Sequence, residues 1–95
     1  MDDDKIKAIE EYLRKHFPDA KVANHHDFDR YGHKFRIVVD HDILLFSIST
    51  ELSSRNTTDK LITILDNYNL IKMLIDNPDS TIVVTSKRIY PVNRF

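Results

Sequence analysis

Cysteine is absent from this chain, and glycine occurs once in 95 residues. Without cysteine there can be no disulfide, no thiolate metal site and no cysteine nucleophile, and the chain reads as cytoplasmic. The single glycine, Gly32, speaks against nucleotide-binding fingerprints, which need several glycines so that backbone can approach phosphate. It also leaves little scope for a strained nucleophile elbow. Ser47, Ser49, Ser53 and Ser54 cluster in the middle of the chain but lie in no G-x-S-x-G pattern, so they read as strand-edge hydroxyls and helix caps. No stretch approaches the ~20 apolar residues that span a bilayer. The start, Met1-Asp2-Asp3-Asp4, is acidic where a signal peptide is basic and then apolar. Neither a membrane partner nor a cofactor is expected.

What is present is ordinary globular material: 41% apolar and 31% charged residues, with a net charge of −1. The length suits a single domain over 1–95 with one modest core. The charge is unevenly spread. Residues 14–36 hold Arg14, Lys15, Lys21, Arg30, Lys34 and Arg36, and residues 80–95 hold Lys87, Arg88 and Arg94 and no acid. The first thirteen residues and the stretch 37–79 are mostly acidic. Dedicated nucleic-acid binders are usually basic overall, so any such role would require the two basic segments to converge.

Apolar periodicity sets the expected elements. Ile6, Ile9, Leu13 and Phe17 keep a helical spacing that predicts a helix over 5–16, stopped by Pro18. Residues 20–27 form a weak edge strand, followed by a turn at 29–32. Alternation predicts strands over 34–40 and 43–50. A two-residue turn at His41-Asp42 would pair Val39 with Leu44, Ile37 with Phe46 and Phe35 with Ile48. Residues 51–56 read as a polar connection. Asn56-Thr57-Thr58-Asp59 resembles a capping box and opens a helix over 57–77, either continuous (the first choice) or broken near Asn67, where Asp66-Asn67-Tyr68-Asn69 is poor helix-forming sequence. Residues 81–85 form a strand. Residues 88–92 return as another after a turn at Ser86-Lys87, with Pro91 confining it to an edge. The expected fold class is α+β in two layers. Its antiparallel sheet of four or five strands carries two helices on one face, in the order α-β-β-β-α-β-(β).

Three functions follow as expectations. Val38, Ile43 and Leu45 alternate away from Phe35 and Phe46, so the sheet's outer face gains an apolar strip. Either residues 88–95 (Ile89, Tyr90, Val92, Phe95) cover it, or it is an interface. The first expectation is therefore a non-enzymatic interaction module, binding a protein partner or forming a homodimer through that face or a sheet edge. The second is nucleic-acid binding by Arg14, Lys15, Lys34, Arg36, Lys87 and Arg88, with Tyr31 or Tyr90 stacking on bases. Helix, three strands, helix is also the order of double-stranded-RNA-binding domains. Here, however, the second helix starts Thr57-Thr58-Asp59-Lys60 and lacks a lysine cluster.

The third expectation is a small metal-dependent enzyme centred on His25, His26 and His33, with Asp27 and Asp29 nearby. His41 cannot join them. It is separated from His33 by one strand, which at ~3.3 Å per residue spans roughly 26 Å. His25 and His26, adjacent in a strand, point to opposite faces.

Overall fold

The structure is a computed structural model, and it describes residues 1–27 and 32–94. The first helix, α1 (Asp3–His16), forms where the spacing of Ile6, Ile9 and Leu13 predicts. Its charges suit the helix dipole, with Asp3 and Asp4 in the first turn and Arg14, Lys15 and His16 in the last. Glu10 and Arg14 approach to 3.8 Å. Ile9 and Leu13 are fully buried. The Tyr12 hydroxyl donates to the Asp66 carboxylate at 3.4 Å. Burial first, and then the Asp66 charge, push its pKa up to about 12, so the phenol remains a neutral donor.

Three strands follow: β1 (Lys21–Asp27), β2 (Gly32–Val39) and β3 (Asp42–Ser49). Most of the expected turn at 29–32 lies outside the described residues, and Gly32 already belongs to β2. The β2–β3 register differs from expectation by two residues. Phe35 faces Phe46, Ile37 faces Leu44 and Val39 faces Asp42, so the turn is Asp40-His41. Asp40 takes a left-handed conformation with φ 53°, one of the few non-glycine residues suited to it. The register also stacks the Phe35 and Phe46 rings at 5.0 Å with planes 10° apart. A cross-strand aromatic pair of this kind stabilises a hairpin. Because side chains alternate with period two, the shift leaves every residue on its expected face.

The segment expected as a polar connection is helical, α2 (Thr50–Arg55). The Ser49 hydroxyl caps it by accepting from the Leu52 amide at 3.1 Å, and Leu52 is buried. The stretch 57–77 is two helices, α3 (Thr58–Asn67) and α4 (Leu70–Asp76). The break falls at Asn69, which is left-handed with φ 56°; the continuous helix is thus excluded. The cap of α3 is Thr57, one residue after Asn56, and it accepts from the Lys60 amide at 3.4 Å.

Strands β4 (Ser80–Val84) and β5 (Ile89–Asn93) complete a five-stranded sheet in sequential order, β1 to β5. The fold is α+β as expected, but the sheet is mixed: β3 and β4 run parallel, and the other pairs are antiparallel. The helices α2 to α4 carry the chain back to the starting end of β3, and a crossover of that length is what a parallel neighbour needs. Four helices, not two, are described. Their buried residues share one core with Phe35, Ile37, Phe46, Ile48, Ile82 and Val84.

Candidate binding surface

The alternation that buries Phe35, Ile37, Leu44, Phe46 and Ile48 turns Lys34, Arg36, Val38, Ile43, Leu45 and Ser47 to the opposite face. The register extends these residues into rows across the sheet. One row runs Ala23, Arg36, Leu45, Thr81, Val92, and the next His25, Lys34, Ser47, Val83, Tyr90. A shorter row joins Lys21, Val38 and Ile43. None of the apolar residues in these rows packs against the helix-side core.

The described part of the C-terminal segment, through residue 94, does not lie across the outer face as a covering layer. Residues 89–93 pair edge-on with β4 as the fifth strand, so they widen the apolar strip with Val92 and Tyr90 instead of lying across it. Phe95 lies outside the described residues. Ile43 is 38% exposed; Val38 and Leu45 are half-buried. Leu45, Val83 and Val92, together with Ser47, Thr81 and Asn93, line a groove of about 200 Å³ that Lys34 and Arg94 also border.

The structure divides the expected basic set. Lys34 and Arg36 stand on the outer face of β2. Arg88 lies over the Tyr90 ring, 4.4 Å from its centroid, a cation–π contact. Lys87 is exposed in the turn between β4 and β5, a tight turn at Ser86-Lys87 closed by the Thr85 amide donating to the Arg88 carbonyl at 2.9 Å. Arg14 and Lys15 belong to α1, in the helix layer, and do not join the others. Arg94, which the sequence did not single out, holds its place through one guanidinium nitrogen that donates to the Ile43 carbonyl at 2.6 Å and the Ser80 carbonyl at 3.3 Å. Among the described residues, the two long rows contain no carboxylate.

The three histidines do not converge. His25 faces outward beside Lys34, whereas His26 and His33 are cross-strand neighbours on the other face, with ring centroids 6.3 Å apart. Strand alternation separates His25 from the pair, and no group of three or more candidate ligands occurs among the described residues. His33 is 7% exposed. Its Nε2 lies 2.8 Å from the Asn24 Oδ1, which fits a donating Nε2–H. Its Nδ1 is buried with no hydrogen-bond partner among the described residues. Burial, and then the positive charge of the chain's amino terminus, lower its pKa below the ordinary value.

The folded chain therefore holds His33 neutral at a pH where the unfolded chain protonates it. The contribution of His33 to stability is fully present above about pH 6.5 and is lost as pH falls below it. The decline ends once pH passes the folded-state value. Urea midpoints at pH 7.5 and 5.5 should fall towards acid in the parent chain and fall less in His33→Phe. An equal change between the two pH values in the parent and in His33→Phe would refute this assignment.

Of the four clustered serines, Ser49 caps α2, the Ser53 and Ser54 hydroxyls donate back to the Thr50 and Glu51 carbonyls within that helix at 3.1 and 3.3 Å, and Ser47 lies on the outer face of β3. Among the described residues, no helix is long and apolar enough to cross a membrane. No family model, curated protein or solved structure significantly matches this chain.

Proposed function

We propose that this chain is a protein-binding module that engages its partner through the outer face of the sheet, with Val38, Ile43 and Leu45 in the contact. The observation that carries the reading is that all of the described helices pack on one side. A five-stranded face with an aliphatic strip is left without a covering layer. Contiguous apolar surface of this kind is characteristic of interaction sites.

A nucleic-acid reading draws on the same face, because Lys34, Arg36 and Arg88 gather there with Tyr90. It is less well supported. Arg14 and Lys15 lie in the other layer. Tyr90 is the one phenyl or phenol ring on that face among the described residues, and Arg88 already occupies one side of it. Single-strand platforms stack successive bases on several rings.

Site-specific photo-cross-linking tests the proposal. A photoreactive residue placed at Val83, on the outer face, should give a discrete adduct with a cellular protein. The same residue at Ile75, which is 57% exposed on α4, should not. No discrete adduct from Val83, or equal adducts from both positions, would overturn the reading.

A further inference from the structure

We infer that the partner segment is acidic and amphipathic, seating aliphatic side chains on Leu45, Val83 and Val92 while its carboxylates reach Lys34, Arg36 and Arg94. This inference rests on the outer face being the binding surface and adds the chemistry of what binds there. Charge complementarity carries it. Leu45, Val83 and Val92 give the groove aliphatic contacts, set among Ser47, Thr81 and Asn93, and two cations, Lys34 and Arg94, line it as well. The described ion pairs, Lys5–Asp2, Arg14–Glu10 and Arg55–Glu51, all lie within helices or at a helix start. The cations of the sheet face have no carboxylate partner there among the described residues. Their charge is therefore available to an incoming anion.

The rest of the molecule reinforces the asymmetry. The whole chain carries −1, so a face bearing Lys21, Lys34, Arg36, Arg88 and Arg94 leaves the remaining surface net acidic. An acidic partner is attracted to the sheet face and repelled elsewhere, which orients the encounter. The same charge argues against a second copy of this chain. A two-fold contact through these rows would press one cationic face against another with no carboxylate in the rows to separate them, and like charges juxtaposed at an interface are costly. The groove argues against a nucleic acid, since none of its lining residues has a ring on which a base could stack. A groove of about 200 Å³ is several times a water's share of liquid volume, about 30 Å³, so it can take side chains.

Fluorescence anisotropy with the full chain tests the inference. The probes are a dye-labelled leucine–glutamate amphipathic peptide, its leucine–glutamine counterpart and a labelled uridine oligonucleotide. The glutamate peptide should bind, and its affinity should drop as salt is raised, because the attraction between exposed charges is screened. The glutamine peptide should bind at least about tenfold more weakly, equivalent to about 1.4 kcal/mol. Arg36→Glu should weaken the glutamate peptide by a similar factor, whereas Lys72→Glu, in the helix layer, should not. Because Arg36 is exposed, its reversal should leave the melting temperature nearly unchanged, so lost binding would not be lost folding.

Equal binding of the two peptides, failure of the glutamate peptide to bind, or tighter binding of the oligonucleotide would overturn the inference. So would a concentration-dependent dimer that excludes the peptide. If Val83 cross-links to a protein in cells while the glutamate peptide shows no preference, the binding face stands and only the acidic partner falls. If Val83 gives no adduct, both fall.

Discussion

Phe46→Ala should destabilise this protein by about 3–5 kcal/mol, the cost of removing a fully buried phenylalanine and leaving a cavity. Phe46 has no exposure, sits in the central strand of the sheet and stacks on Phe35. The substitution removes burial and ring stacking together, and the aromatic pair alone is worth about 0.5–1.5 kcal/mol beyond its area. Domains of ordinary stability hold about 5–15 kcal/mol in reserve, so the variant should lie close to the unfolding threshold. Urea unfolding at unchanged m measures it directly. A loss below about 1 kcal/mol would mean that the ring is not packed as described.

The second large effect is a contrast between adjacent residues. Leu44→Ala should cost about 2–5 kcal/mol, whereas Leu45→Ala should cost less than about 1 kcal/mol. Leu44 is 5% exposed and belongs to the core. Leu45, one residue on, lies on the outer face, where it touches no helix-side residue of that core. The pair reads out which side of β3 is buried, and the same two variants separate folding from binding. Leu45→Ala should weaken capture of the amphipathic partner while the chain stays folded. Comparable losses of stability at both positions would show that something covers the outer face.

Alternation makes the faces of β2 and β3 legible from sequence, and with them the strip Val38, Ile43, Leu45. It cannot make the register legible to the same degree. A shift of two residues leaves each side chain on its own face, so pairing Phe35 with Ile48 and pairing it with Phe46 satisfy the pattern equally. The turn settles the matter, through an aspartate that accepts φ 53°, and no glycine advertises it.

α2 is hidden for another reason. Thr50-Glu51-Leu52-Ser53-Ser54-Arg55 has one apolar residue and several weak helix formers. It is held by the Ser49 cap and the burial of Leu52, and only the second of these is tertiary. The parallel pairing of β3 with β4 depends on where α4 delivers the chain, which no residue of either strand encodes. Arg94 and Val92 join the groove only because β5 pairs with β4. The opposite orientations of His25 and His26, by contrast, follow from adjacency in a strand, and the structure has them so.

The flanks of the sheet bear on how an uncovered apolar face can be tolerated. β1 and β5 are the two edges. Along β1, the exposed Lys21, His25 and His26 put polar and cationic groups where another strand would dock. Along β5, Pro91 has no amide hydrogen, and a proline in an edge strand turns its nitrogen outward. A strand added there would meet an acceptor row with a donor missing. Polar edges and proline are means by which proteins discourage strand-by-strand growth. Crowding this chain should therefore extend no ribbon from its sides. Whatever joins it must approach flat, as a lid does.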